Sequence, residues 1–506
     1  MSGELHYCHS VNREQSAPGF MKLRQIFQIY TRGTISSSVF NLLTTSVGAG
    51  TLSLPYAFSQ GGLVFSSVVF FLVLLISIIV GLMLYSSKSY CQELYPAMDV
   101  AGYEDIAVAA FGTVGRIVVL LILVVFLVLC LVAYMIYTRD QLDLVVQYVV
   151  VKTGNIPDCS VFTNCAVLVT LAFIPLFPFT LLRDLTPMQF TSALSFLGVT
   201  FTAVAMTIRA VQLRGSPAFK PQPIQLYPTS VIGAITCVSY SSLCFLCHFN
   251  ILPLQKELYH PTRARMNVVV VVSLVTAYLL YSTVIFSGYF TFYNNIKEDI
   301  LTNYDFDDLI ITAARVAIFF TLLFCYPVLL HPTRSSLNRL VMTIKGLLDT
   351  PTSSEETPLL PGIPVIQGSH GYQHLAPLHQ KVPSLVWVCE TWMIFGSTFL
   401  AASYVPNVGY VWNFVGSIGG TVLLYIFPSA AFLRLRYKRH IARRKPQRRY
   451  SSICKDFVAI AILIVGLCLL VVENYSSVID IINAGHDPSS LCSQLACVTN
   501  SSVFTA

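Results

Sequence analysis

The sequence predicts an all-α polytopic membrane protein with 11 transmembrane helices. Of its 506 residues, 55% are hydrophobic and 11% are charged, whereas an average soluble domain has about 25% charged residues. Eleven apolar runs are long enough to cross a bilayer, which takes about 20 residues each. Glycines interrupt the first run near its middle, and such a break is tolerated only where it lines protein or a water-filled cavity.

The runs are separated by polar loops along the whole chain. In chain order they lie at 35–58, 63–86, 114–138, 164–182, 187–211, 229–252, 266–290, 308–331, 384–404, 408–433 and 456–473. Residues 1–34 form a polar tail without the apolar core of a cleavable signal peptide. The first run is therefore expected to stay in the membrane as an uncleaved anchor.

The first ten spans divide into two halves of five, residues 35–211 and 229–433, joined by an outer loop at 212–228. Because five is odd, the second half starts on the opposite side of the membrane, so a shared fold would be an inverted repeat. The lead helix of each half, span one or span six, is where a broken helix is expected. A basic linker at 434–455, an eleventh helix and a tail at 474–506 follow.

Basic residues give the orientation of the spans. With the N-terminus in the cytosol, 24 lysines and arginines lie inside and six lie outside. The positive-inside rule therefore predicts a cytosolic N-terminus and an outer or luminal C-terminus. The net charge of +7 is explained by this bias, so we expect no nucleic-acid partner.

Some motifs lie in the loops and tails. Outer segments contain four cysteines that would meet an oxidising compartment and could form disulfides, with their pairing open: Cys159, Cys165, Cys492 and Cys497. The outer tail also contains a candidate glycosylation site at Asn500. The inner loop 342–383 is rich in Pro, Gly and Ser and is expected to be mobile. Within it, Glu355, Leu359 and Leu360 match an acidic-dileucine pattern read by sorting adaptors, although a plain loop explains them equally well.

Several stretches resemble the amino acid/auxin permease family, especially its sodium-coupled neutral amino acid and vacuolar amino acid transporter branches. They are SVFNLLTTSVGAGTLSLPYAF at 38–58, YEDIAVAAFG at 103–112, FLCHFNILPLQKEL at 245–258, YPVLLHPTRSSLNRL at 326–340 and YVPNVGYVWNFVGSIGGTVLLYIFPSAAF at 404–432. They span most of the membrane domain in the order of the family. The resemblance implies a LeuT-type fold of five plus five helices, with helices one and six broken and an eleventh helix added.

The break in span one suits the recognition of a zwitterion. Unwinding at 48–50 frees N–H groups at the positive end of a half-helix, so the amides of Ala49, Gly50 and Thr51 are predicted to bind a carboxylate. The carbonyl of Ser46 would accept from the ammonium group. Close helix packing by small residues is the alternative explanation of these glycines.

Three residues of span six are predicted to form the opposite wall of the pocket. These are Ser242, Cys244 and Phe245. Ordinary helix packing would explain the same residues.

The coupling ion stays open between Na⁺ and H⁺. In the sodium-coupled branch a cation lies between span-one carbonyls, here those of Thr44 and Val47, and hydroxyls of span eight. This chain has Cys325 where that branch has a threonine, and a thiol is a poor ligand for a hard cation. Thr321, one turn earlier, could replace it. No other metal and no cofactor are expected.

Ionisable residues inside spans are costly and suggest function. Arg315 in span eight could contact substrate, although pairing with outer-loop acids is favoured: Asp305, Asp307 and Asp308. His248 is the best candidate for carrying protons, because the ordinary pKa of histidine is close to neutral. The alternative is that its ring makes a structural hydrogen bond. Glu473, at the end of span eleven, is expected to reach the membrane interface.

The main hypothesis is a secondary active transporter, a symporter of neutral amino acids working by alternating access in a lysosomal, vacuolar or plasma membrane. The alternative is an amino-acid sensor at an endolysosomal or vacuolar membrane with little flux. An enzyme is not expected, because the sequence shows no nucleophile with a base and no metal motif. The expected partners are a small-molecule amino acid, the lipid bilayer and sorting adaptors.

Overall fold

A computed structural model describes most of the membrane domain. The described residues are 33–153, 167, 170–171, 173–174, 177–181, 189–216, 221–348, 383–405, 408–443 and 450–484. The four outer cysteines, Asn500 and the dileucine pattern lie outside them and stay predictions. So does most of the predicted fourth span, of which one short helix is described.

The first half of the described chain is helical throughout. Its helices are α1 (Ile35–Ser46), α2 (Leu54–Gly61), α3 (Leu63–Leu94), α4 (Tyr103–Thr153), α5 (Phe177–Thr180) and α6 (Gln189–Arg214), with a 3₁₀ helix at Ala49–Ser53. Within α4 the chain bends at Gly112, whose φ of 79° favours glycine.

The second half follows the same plan. Its helices are α7 (Val231–Cys244), α8 (Ile251–Glu257), α9 (Arg263–Phe292), α10 (Leu309–Leu348), α11 (Ser384–Tyr404), α12 (Val408–Phe414), α13 (Phe427–Ala442) and α14 (Tyr450–Ala484). Two 3₁₀ helices lie at His248–Asn250 and Ile300–Asn303. Two π-helical segments, Val415–Gly420 and Val422–Ile426, connect α12 to α13.

The all-α membrane fold with breaks in spans one and six is confirmed. Nine helices of the described part are long and apolar enough to cross a membrane. One of the nine, Val231–Glu257, runs across the break in span six, whereas span one, divided into α1 and α2, is not among them. Polar ends extend α4, α10 and α14 well beyond the predicted apolar cores, since a helix need not stop where the hydrocarbon stops.

Main-chain hydrogen bonds join the two broken helices on one side of the molecule. The Gly33 N–H donates to the Glu257 carbonyl and the Tyr259 N–H donates to the Gly33 carbonyl, both at 2.9 Å. The side-chain amide of Asn250 also donates to Thr45 Oγ1 at 3.0 Å. The start of α1 and the end of α8 are therefore fixed to each other, and this end of the molecule is called the Gly33 side.

Glu473 does not reach an interface, so that expectation is wrong. Its side chain is 1% exposed, and α14 runs on to Ala484. The predicted span ended at this residue because the apolar run ends there. The helix continues for three more turns, and Glu473 therefore sits well inside it.

Arg315 is fully buried in α10 and anchors the loop before it. Its guanidinium donates to the carbonyls of Leu301 at 2.9 Å, Tyr304 at 2.8 Å and Asp305 at 3.3 Å. The neighbouring carboxylates have other partners, Lys152 for Asp307 and Arg209 for Asp308. Arg315 thus binds the loop through main-chain oxygens, and its described contacts are structural.

We predict that Arg315→Met lowers the free energy of unfolding by about 3 kcal/mol, because two buried carbonyls and one partly buried carbonyl lose a charged donor. Thermal unfolding in detergent would show this as a lower melting temperature. Arg434→Met is the matched control, since Arg434 is exposed on α13. Equal melting temperatures for both variants would contradict the anchoring role.

Candidate functional site

The break in the first span begins directly after Ser46. Val47 and Gly48 are extended, with φ/ψ of −82°/90° and −133°/−152°. The chain then re-enters a helix of 3₁₀ type. A Cβ at position 48 would lie 2.5 Å from the Tyr134 hydroxyl of α4, so a larger residue there would require the Tyr134 side chain to move.

The break in the sixth span lies opposite. Helix α7 ends at Cys244, and a tight turn follows in which the Leu246 N–H donates to the Leu243 carbonyl at 3.0 Å. The chain continues through the short 3₁₀ helix into α8. A Cβ at Gly50 would lie 3.1 Å from the Cys244 sulfur, so the two breaks are in contact.

Tyr281 of α9 connects the two breaks. Its hydroxyl lies 2.6 Å from the Ser46 carbonyl and 3.1 Å from the Cys244 carbonyl. The Ser46 hydroxyl also donates to the Cys244 carbonyl at 2.8 Å. These bonds satisfy carbonyl oxygens that the breaks release from helical pairing. The sequence analysis missed Tyr281, although a tyrosine in the middle of an apolar span is itself a signal that its hydroxyl needs a partner.

A cavity of about 440 Å³ lies against both breaks. Of the predicted substrate-binding residues, Ser46, Gly50 and Cys244 line it. The wall beside them is formed by uncharged side chains of α4 and α7, namely Phe126, Cys130, Tyr134 and Leu243. The charged lining residues Glu257 and Arg339 belong to the Gly33 side, where Arg339 pairs with Glu104.

The other predicted substrate-binding residues lie behind the lining. The Thr51 N–H donates to the Gly48 carbonyl at 3.1 Å. Ser242 bonds the Tyr425 hydroxyl at 2.7 Å. The Phe245 ring packs at 5.0 Å from Phe70. Ala49 and Gly50 occupy the first two positions of the 3₁₀ helix, where an N–H has no acceptor within the helix.

Of the four predicted coupling residues, two line the cavity and two do not. Thr44 and Cys325 line the cavity, but the Thr44 hydroxyl donates to the carbonyls of its own helix, and the Cys325 sulfur lies 3.0 Å from Ser195 Oγ. Val47 is buried. The buried Thr321 hydroxyl has no hydrogen-bond partner among the described residues, so it has spare capacity as a ligand.

His248 lies in the short 3₁₀ helix before α8, and its described contact is structural. It is fully buried, and its Nε2 lies 2.7 Å from the Ser77 carbonyl of α3. This contact matches the alternative of a structural hydrogen bond that the sequence analysis weighed against proton transfer.

The cavity is open at one end and closed at the other. On the Gly33 side its lining includes the exposed residues Asn41, Pro253 and Glu257. At the opposite end Trp412 donates to the Tyr137 hydroxyl at 2.9 Å. The Tyr137 hydroxyl also bonds Ser53 in the 3₁₀ helix. The binding region is therefore reached from one side of the membrane in this structure.

The loop before α10 completes the closed end. The Ser53 hydroxyl donates to the Glu298 carbonyl at 2.6 Å, and the Glu298 carboxylate accepts from the Gly409 N–H at 2.9 Å. Asp299 accepts from Gln141 of α4 and from the Leu301 N–H at 3.0 Å. One loop thus binds three helical elements that must separate if this end opens.

Burial raises the pKa of Asp299 to about 7, and the nearby carboxylate of Asp140 adds to the rise. Hydrogen bonds from Leu301 and Gln141 and the charge of Arg315 oppose it. The neutral carboxyl is consequently favoured when the loop is packed against α4. Asp299 lies in the loop before α10, outside the spans, and its side chain is buried.

A known protein family matches most of the chain. The family described as "Transmembrane amino acid transporter protein" matches residues 31–479. A sodium-coupled neutral amino acid transporter 7 of Danio rerio is 21% identical over 417 residues, covering 82% of each chain.

Two solved structures align over most of the chain at low identity. MhsT in complex with L-phenylalanine is 12% identical, with 84% of this chain and 98% of that chain covered and a TM-score of 0.41. The Eremococcus coleocola manganese transporter in complex with an aromatic bis-isothiourea compound is 10% identical, with 88% and 94% covered and a TM-score of 0.40.

We predict that Asp299 makes the folded state lose stability as pH rises through about 7. A carboxyl whose pKa is raised on folding stabilises the folded state fully below its ordinary value near 4, and this contribution is lost as the pH rises from that value to the folded pKa. Melting temperatures of wild type and Asp299→Asn, measured from pH 5 to pH 8, should diverge in favour of the variant. Asp307→Asn, at an exposed carboxylate, should keep a constant offset. Parallel curves for Asp299→Asn would refute the prediction.

Proposed function

The chain belongs to the transmembrane amino acid transporter family, and we propose that it is a symporter that carries neutral amino acids by alternating access. A gradient of protons or sodium ions would drive it. The observation that carries this proposal is the cavity at the meeting point of two broken helices. Its volume of about 440 Å³ is within the range of about 300–1,000 Å³ typical of small-molecule sites.

The polar atoms around the breaks fit the two ends of a zwitterion. The N–H groups of Ala49 and Gly50 begin a helix and can donate to a carboxylate. The Ser46 carbonyl accepts from Tyr281 and retains a second lone pair for an ammonium group, whereas the Cys244 carbonyl already accepts from both Tyr281 and Ser46. Thr51, Ser242 and Phe245 would support this arrangement from behind.

The substrate side chain is proposed to be uncharged. The walls next to the breaks consist of Phe126, Cys130, Tyr134 and Leu243, which offer no charge to compensate a buried one. An ionised side chain placed there would lose its hydration without gaining a partner. The relative of Danio rerio is named as a neutral amino acid transporter, which agrees with this choice.

Alternating access would exchange the open and closed ends. Opening of the closed end requires the bonds of Ser53, Glu298 and Asp299 to break. Closure on the Gly33 side would move α1 and α8 as a pair over the cavity. The hydrogen bonds between their ends support such a joint movement. We assign the Gly33 side to the cytosol from the distribution of basic residues. The membrane is proposed to be lysosomal, vacuolar or plasma membrane.

For the coupling ion, a sodium site would use the carbonyls of Thr44 and Val47 with Thr321, while Cys325 offers a poor ligand. Thr321 supports sodium through its unused hydroxyl. Protons are the alternative driving ion.

The decisive experiment uses the purified protein in liposomes with a panel of labelled amino acids. Sodium and pH gradients are imposed separately, and uptake is compared with that of protein-free liposomes. Uptake of neutral amino acids driven by either gradient supports the proposal. Binding without flux would favour the alternative of an amino-acid sensor. Uptake confined to cationic or anionic amino acids would contradict the neutral pocket.

We predict that Gly50→Val abolishes uptake and leaves folding intact. A Cβ at Gly50 would approach the Cys244 sulfur to 3.1 Å, and the larger side chain would fill the space beside the proposed carboxylate-binding amides. Uptake in liposomes and the melting temperature in detergent measure the two effects.

The control for this variant is Gly396→Val in α11. A Cβ at Gly396 meets no described atom within 4 Å, so the same added volume should leave uptake unchanged. Normal transport by Gly50→Val would show that the carboxylate is bound elsewhere.

A further inference from the structure

Glu473 is a buried carboxyl at the end of the apolar run of α14. Its exposed fraction is 1%, whereas Val471, Val472 and Tyr475 are 71%, 40% and 69% exposed. The carboxyl therefore points into the protein and its neighbours point outward. It continues a face with three- and four-residue spacing formed by Ala459, Ile462, Gly466 and Leu469.

This face packs on the π-helical part of the tenth predicted span. At Gly466 the two elements touch closely, since a Cβ there would lie 2.7 Å from Cβ of Tyr425. Two turns further on, the Thr421 hydroxyl lies 2.5 Å from the Glu473 carboxylate. Thr421 stands between the two π-helical segments, a type of helix often found at functional sites.

The Thr421 hydroxyl has two acceptors and a single proton. It lies 2.5 Å from Glu473 Oε2 and 3.3 Å from the Gly416 carbonyl. When Glu473 is ionised, the hydroxyl donates to the carboxylate. When Glu473 is protonated, the carboxyl can donate to Thr421 Oγ1, and the hydroxyl proton then turns to Gly416. Proton binding thus changes a hydrogen bond within the π-helical segment.

That segment contacts the substrate cavity from behind. Gly416 packs on Ser239 of α7, and Gly419 packs on the ring of Phe126, which lines the cavity. The Tyr425 hydroxyl bonds Ser242 at 2.7 Å, two residues before α7 ends. A change at Thr421 can therefore reach the wall of the cavity and the break in α7 through direct contacts.

Among the described side chains, few other titratable groups of the elements packed on α14 face this carboxyl. Tyr425 of the second π-helical segment lies close enough to be affected by the charge of Glu473. In α7, Cys237 faces Gly61 and Tyr240 faces Tyr56, on the α2 side.

The remaining packed elements place their charges elsewhere. The basic residues of α13 lie toward the opposite end of α14, where Arg436 pairs with Asp456. Helix α12 has no carboxylate, amine or guanidinium in its sequence.

We infer that Glu473 is the proton-binding site of the transport cycle, so that the driving ion of this chain is H⁺. The carboxylate takes a proton from water on one side of the membrane and returns it to water on the other side. This inference rests on the proposed transport function and selects between its two coupling ions. Ionisable side chains that face the interior of a membrane protein commonly serve as proton relays.

The test compares wild type with Glu473→Gln in liposomes, using a labelled neutral amino acid that wild type transports. Three readouts are taken: accumulation under an imposed pH gradient, acidification reported by a trapped pH-sensitive dye, and exchange of labelled for unlabelled substrate. With one proton per substrate, one pH unit supports accumulation of about tenfold. The glutamine variant should lose accumulation and acidification but retain exchange. The control Glu390→Gln, at a carboxyl bonded to Asn338, should behave as wild type.

The possible outcomes separate this inference from the proposed function. Accumulation by Glu473→Gln equal to wild type would overturn the inference. Loss of exchange together with accumulation would indicate a structural role and would also overturn it. If uptake by wild type is driven by sodium and does not depend on the pH gradient, the inference is overturned and the proposed function is still supported. Absence of any wild-type uptake would refute both.

Discussion

The structure depends on how main-chain polar groups are satisfied where two helices break inside the membrane. Each break releases carbonyl and N–H groups that lipid cannot pair. The carbonyls of Ser46 and Cys244 share the hydroxyl of Tyr281, and the two breaks hold each other through Ser46. We propose that the N–H groups of Ala49 and Gly50 bind a ligand. The position of the cavity follows from this arrangement.

The break in the first span could be predicted because glycine and proline act through the backbone of their own segment. The residues that face the cavity could not be read in the same way. Cys244 lines it, whereas Ser242 lies behind α7 and bonds Tyr425. Two residues along a helix change the facing direction by more than half a turn. Only the packing of α7 on its neighbours decides which of them meets the substrate.

Charged residues were harder to place from the sequence than apolar ones. Hydropathy measures how far an apolar run extends, and the run of the eleventh span stops at Glu473. The helix itself continues to Ala484, so the end of the run is not the end of the element. Arg315 shows that the hydrogen-bond partners of a charged residue are also hard to predict. Nearby acids in the sequence suggested ion pairs, but its described bonds are with main-chain carbonyls, which no residue type reveals.

The short bridge between Gly33 and the end of α8 has a mechanical consequence. Residues 1–32 join the membrane domain directly at Gly33, and both main-chain groups of that glycine are bonded to the sixth-span segment. A pull on the amino-terminal tail is consequently shared between α1 and α8 and is not absorbed by a loose connection. Helices α1 and α8 would therefore move together when the chain before Gly33 is displaced.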